Sequence, residues 1–181
     1  MRISPGDVAL SVGDLRVVAR YAAESAEEVL PLFEQDRPDD RRPRAALEAA
    51  WVFADGADRT RLQRITAVDA HRAAKDAAAE AAQHAARAAG DAAAAAYLHP
   101  LARATQVHHI LRAAAHAARA TELAAGGDLG VGDQHIELAQ QRATPVLVDV
   151  LGRYPEAPTG RSRVAELMKT LDTSLRAGCR R

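Results

Sequence analysis

The side chains that could do chemistry cluster in one stretch, "HRAAKDAAAEAAQHAARAAGDAAAAAYLH", residues 71 to 99. A histidine or a charge recurs there every few residues against a background of alanine. Read as one continuous helix, Asp69, Arg72, Asp76, Glu80, His84, Arg87 and Asp91 fall within roughly a third of the circumference. The stripe mixes signs. Spacings of three and four permit Asp69–Arg72, Arg72–Asp76, Glu80–His84 and Arg87–Asp91 pairs. The expected reading is a solvated face, each pair stabilising the helix by about 0.2–0.5 kcal/mol. Glu80 and His84 also have a metal-ligand spacing. A di-metal bundle repeats a Glu-x-x-His motif, which this chain does not, so no metal and no cofactor are expected.

His71 stands apart. It projects far from the charged stripe, onto the alanine side. An imidazole there is either a hydrogen-bonded core residue or a polar group lining a pocket. Further on, Thr105, His109, Arg112, His116 and Arg119 form a second polar stripe, from which His108 diverges. Exposure is again the expected reading, with a face for an anionic group or an acidic partner as the alternative. The chain has no Gly-rich phosphate loop ending in Gly-Lys-Ser/Thr, no His-Glu-x-x-His, no nucleophile elbow and no cysteine cluster. Ser25, Ser162 and Ser174 lack a local activating context. No reaction is specified: a non-catalytic role is preferred, and an enzyme on a helical scaffold stays open.

The elements that must carry these residues follow from composition. The 181 residues suit one domain, 1–181, with 1–13 and 178–181 as loose termini. About a quarter of the chain is alanine and only 3% is aromatic, which predicts an all-α fold with a close-packed aliphatic core. Zero formal net charge argues against nucleic acid, whose phosphates need a basic face. The lone Cys179 excludes a disulfide within the chain and fits a cytoplasmic location. No apolar run suits a signal peptide or a membrane span, because Lys75, Asp76, Glu80, His84, Arg87 and Asp91 interrupt the alanine tract.

The pattern predicts a compact bundle of six to seven helices around an Ala-rich central helix. A first helix starts at Asp14 as N-cap, with Leu15, Val18, Ala22, Ala26, Val29 and Phe33 inward. A second runs from Pro43 to Ala54. A long helical region from Thr60 to Leu98 must break at a point the pattern does not locate, with Leu62, Ile65 and Val68 as its early apolar face. Pro100 opens the next helix, which stops at Gly126-Gly127. The segment "GGDLGVGD" reads as a loop. A helix from Gln134 to Gly152 is divided or bent by Pro145, and a last one spans Ser162 to Ala177.

"EEVLPLFEQDRPDDRRPRAALEAAWVFADG", then "AHRAAKDA" and "AARAAGDAAAAAYLHP", resemble the Imm-5-like family of bacterial immunity proteins, over roughly residues 20 to 125. Val29 to Ala50 is the most specific block. Arg42, Pro43, Arg44 and Glu48 match the opening motif, His71 the Ala-His position and Gly90 the later glycine. Asp91 stands where relatives tend to carry histidine, and Tyr97 stands near another such position. The resemblance implies an all-helical cytoplasmic protein that binds and neutralises a toxin of a polymorphic toxin system. Some relatives carry an exonuclease-subunit label, for which this chain offers no ATPase motif. A protein toxin is thus the expected partner, met by a local surface such as the Arg37–Arg44 loop or a charged helix face. The alternative is a small-molecule ligand in a pocket near His71, Trp51, Tyr97 and His99. The candidate binding residues are His71, Arg44, Glu48, Trp51 and Tyr97. Self-association is left open.

Overall fold

Residues 7–178 are described by the structure, a computed structural model. Among them are eight α-helices, one more than the six to seven expected. They are α1 (Val12–Asp36), α2 (Arg42–Ala54), α3 (Arg61–Asp76), α4 (Glu80–Ala95), α5 (Val107–Ala124), α6 (Leu129–Arg142), α7 (Pro145–Gly152) and α8 (Arg163–Gly178). The all-α class holds: the one β-type contact among the described residues is an isolated bridge between Asp7 and Leu101. Beside it, Val8 N–H donates to Pro100 O (2.7 Å), so part of the arm expected to be loose is tied down. Met1–Gly6 and Cys179–Arg181 lie outside the described residues.

Local chemistry explains most boundaries. Ser11, not Asp14, is the N-cap of α1; Asp14 occupies the third helical position and closes a reciprocal capping box with it. Thr60 and Gln63 do the same for α3. Pro43 and Pro145 sit in the first turns of α2 and α7, where no backbone donor is missed. Gly126 and Gly127, at φ of +75° and +87°, terminate α5. Two expectations fail at loops. Asp128 caps α6, so the helix begins at Leu129 inside the presumed "GGDLGVGD" loop. The segment after Pro100 stays irregular until a short 3₁₀ turn (Ala104–Gln106) leads into α5 at Val107.

The long helical region breaks at Ala77–Ala79. Asp36, at the C-terminal end of α1, accepts hydrogen bonds from Ala78 N–H (2.9 Å) and Ala79 N–H (3.2 Å) and so caps α4 from outside. A distant carboxylate fixes the break, which is why the local pattern does not reveal it. The break also cancels the single helical wheel, because residues 69–76 and 80–91 belong to different helices.

Helix α4 packs against α1, α2, α3 and α5, with Ala85, Ala86, Ala88, Ala89, Ala92 and Ala93 inaccessible to solvent. Methyl side chains let the axes approach closely. Gly90 takes this furthest: a Cβ there would lie 3.0 Å from His71 Nε2 and 3.1 Å from Ala67 O. The apolar face of α3 is the reverse of the expected one. Its buried side is Gln63, Thr66, Ala67, Ala70, Ala73 and Ala74, while Leu62, Ile65 and Val68 are 49%, 55% and 46% exposed.

A second close approach joins α5, α6 and α8. Glu122, fully buried, takes Arg119 on its own helix and Arg163 Nε (2.9 Å) from α8. Gly132 of α6 leaves the space this carboxylate fills, since a Cβ at 132 would overlap Glu122 Oε2. Gly132→Ala gains about 1 kcal/mol in helix propensity. It must also displace a carboxylate held by two arginines. We expect a net loss of about 1–3 kcal/mol, read as a fall of several degrees in melting temperature. An unchanged or higher melting temperature would show that Glu122 moves aside freely.

Candidate functional site

The α4 part of the first polar stripe and the α5 part of the second face each other, while Arg72 and Asp76 on α3 stay open to solvent. Helices α4 and α5 run antiparallel, and their polar residues pair as rungs. Glu80 meets Arg119 (3.6 Å), and His84 Nδ1 meets His116 Nδ1 (2.8 Å). Asp91 meets Arg112 through Nε (2.9 Å) and Nη2 (2.5 Å), and His109 Nδ1 meets Ala94 O (3.1 Å). The expected solvated stripe is therefore corrected at its centre: the Asp91 side chain is 2% exposed and that of His84 10%. Expected pairs also rearrange. Asp69–Arg72 forms (3.1 Å), and Glu80 stays near His84 (3.8 Å). Asp76 instead pairs with Arg42 (2.7 Å), and Asp91 with Arg112 rather than Arg87. The reason is that each helix offers the other a complementary row, which a wheel drawn for one helix cannot contain.

Asp91 is the charge centre. His71 Nε2 lies 3.3 Å from Oδ1, and His116 Nε2 lies 3.7 Å from Oδ2. Burial by itself would raise the carboxyl pKa, but hydrogen bonds from His71 and Arg112, with the Arg112 charge, hold it at about 2. Burial pushes His84 down to about 4, helped by the Arg87 charge. It pushes His116 down to about 3 despite the nearby Asp91 charge. Both imidazoles are thus neutral near pH 7, and their 2.8 Å contact is one N–H donating to one lone pair. The negative Asp91 favours the tautomer with the His116 proton on Nε2, so His84 Nδ1–H donates to His116 Nδ1.

His71 is not packed among alanines. Its side chain is 37% exposed, and its ring lies between Asp91 and an open cleft of about 830 Å³. The start of α1, α3, the end of α4 and the start of α5 enclose that cleft. Leu10, Leu15, Val68 and Leu98 give it apolar walls; Arg59, Arg64, His71, Tyr97, His99 and His109 give it polar ones. Tyr97 is anchored by its hydroxyl on Thr60 O (2.7 Å) and lies beneath the Arg59 guanidinium (5.1 Å). Of the five candidate binding residues, the fold brings His71 and Tyr97 to one site, with His99. It leaves Arg44, Glu48 and Trp51 elsewhere. Arg44 forms a two-bond ion pair with Glu34 of α1 (2.7 Å each), Glu48 sits 3.7 Å from Arg41, and Trp51 lies beneath Arg20 (5.2 Å). With Arg42 held by Asp40 and Asp76, much of the charge of the Arg37–Arg44 loop is neutralised within the protein.

Arg59 and Arg64 escape sequence reasoning altogether. Arg59 lies in the segment before α3 and Arg64 on its exposed side, one turn before Val68, and only the packing of α3 beside the start of α1 and the end of α4 brings them to the cleft. No group of three or more His, Cys, Asp or Glu among the described residues is placed to hold a metal.

Fold and site together define an all-helical protein whose buried polar groups join helices and whose accessible features are a cleft and an apolar helix face. Over residues 9–144 the chain matches the family described as Imm-5 like putative immunity protein, and it belongs to that family. No curated protein and no solved structure matches it.

The histidine pair has a pH signature. Both folded-state pKa values lie below the roughly 6.5 of a free imidazole, so the unfolded chain takes up the protons first. Stability is complete above about pH 6.5 and falls as the pH drops through about 4 for His84 and about 3 for His116. The slope approaches about 1.4 kcal/mol per pH unit for each histidine. His108, His109 and His135 are shifted the same way by burial and add to it. Asp91 acts in the same sense at lower pH, its contribution going as the pH falls from 3.8 towards about 2. Urea unfolding between about pH 7 and pH 4 should show a falling midpoint, with a shallower fall in a His84→Gln, His116→Gln double variant. Equal slopes in the two proteins would remove the pair as a source of the effect.

Proposed function

We propose that this protein is a non-catalytic, cytoplasmic immunity protein that binds a protein toxin and neutralises it by occlusion. Family membership supports the class. One structural observation carries the location of the surface: Leu62, Ile65 and Val68 stand exposed at helical spacing on α3, on a face they share with Arg61 and Arg72. Large aliphatic side chains about half exposed in a row are costly unless a partner covers them. Arg72 is already paired with Asp69, so the ridge with Arg61 at its start suits a partner whose docking patch is apolar at its centre and carries an acidic group at its rim. The rest of the polar machinery supports binding rather than catalysis, because Asp91, Arg112, His84 and His116 are turned inward on one another. No described helix is long and apolar enough to cross a membrane.

The test is growth protection in cells that co-express a candidate toxin gene taken from the neighbourhood of this gene in its native genome. Wild type should rescue growth and bind the purified toxin. Ile65→Asp should abolish rescue and weaken binding by about 30-fold or more, equivalent to about 2 kcal/mol at an apolar anchor. Ile65 is 55% exposed, so its melting temperature should stay within a few degrees of wild type. Full rescue by a folded Ile65→Asp protein would move the interface off α3, and absence of any binding by wild type would overturn the function.

A further inference from the structure

The cleft beside His71 has a chemical character that toxin occlusion does not require. We infer that it is a binding site for a small organic acid with an apolar tail. Its volume of about 830 Å³ lies in the range of small-molecule sites, and most of its wall is aliphatic or aromatic. No Asp or Glu lines it, whereas two arginines do. In a chain with as many acidic as basic residues, that one-sided lining is a local choice of sign.

The two arginines are held differently, and the difference suits an anion. Arg59 is pre-positioned: its Nη1 donates to Ala96 O (2.9 Å) and its guanidinium lies over the Tyr97 ring, which leaves further N–H donors free. The Arg64 side chain is exposed and makes no hydrogen bond or ion pair among the described residues. Most arginines lining buried or half-buried sites here are matched, as Arg112 is by Asp91 and Arg163 by Glu122. An unmatched guanidinium at the mouth of an apolar cleft lacks a carboxylate, and a two-oxygen anion supplies the geometry its fork accepts. The nearest buried carboxylate cannot serve, since Asp91 is already held by Arg112 and His71. The tail of the ligand would lie against Leu10, Leu15 and Leu98, removing their surface from water.

Sodium decanoate, kept below its micellar concentration, is the probe. Titration calorimetry on the purified full chain, with no toxin present, should show saturable binding of one decanoate per chain. Decanol, which has the same tail without the charge, should bind at least about tenfold more weakly, a difference of about 1.4 kcal/mol. Arg64→Gln should weaken decanoate by a similar factor, while Arg61→Gln, on the same helix but outside the cleft, should not. Arg64 is exposed, so its variant should fold normally, which the melting temperature checks. Equal affinity for decanoate and decanol would overturn the inference, as would several decanoates per chain, which indicates adsorption to the apolar row on α3. So would unchanged binding in folded Arg64→Gln, or binding of an acidic peptide where decanoate fails. Because no toxin enters the experiment, failure here leaves the protection assay untouched, and failure of protection leaves this result standing.

Discussion

The close approach of α4 to the helices around it is the constraint on which the structure depends. Alanine and Gly90 bring the axes together, and the contact then has no room for water. Any polar group in it must be satisfied by protein. Asp91 meets that demand with Arg112, His71 and His116, and the His84–His116 pair extends the arrangement towards the Glu80 end of the helix. Truncating one partner of such a pair leaves a buried charge uncompensated, which typically costs about 3–5 kcal/mol. Alanine provides proximity without specificity; the polar rungs set which helix lies beside which and in what register.

The same device recurs away from α4. Glu122 joins α5 to α8 through Arg163, with Gly132 of α6 leaving it space. Asp172, fully buried, accepts from Ala157 N–H (2.9 Å) and from Arg176 Nε (2.7 Å), holding the loop before α8 against that helix. An aromatic-poor chain has few large side chains with which to specify its packing. Buried carboxylates take over that role, each set against an arginine, and the surplus of arginine over lysine in this sequence suits it because the planar guanidinium gives two parallel bonds. The groups most suggestive of catalysis in the sequence are thereby absorbed into structure. What stays open to a partner or a ligand is the exposed side of α3 and the cleft beside it, with Val68 on the rim of both.

Composition and helical periodicity by themselves determined the all-α class, the core stripe of α1, the extent of α2 and the Gly126-Gly127 stop, because these depend on propensity and on interactions within one turn of chain. The opening motif likewise carried the family, since it is a local string of residues. Tertiary structure alone decided the rest. The break at Ala77–Ala79 depends on Asp36, far away in the chain. The inward face of α3 could not be read from hydrophobicity, because alanine and Gln63 fit against α2 and α4 while the larger Leu62, Ile65 and Val68 were left outside. The two polar stripes are visible in sequence, but a row of mixed charges satisfies water and a matching row equally well. Only the pairing of α4 with α5 says which partner Asp91, His84 and His116 obtained. His71 and Tyr97 drew notice in the sequence because their types stood out, and the fold sets both on the cleft; Arg59 and Arg64 line it too but gave no such signal, since one arginine among 22 is distinguished only by what folding places around it.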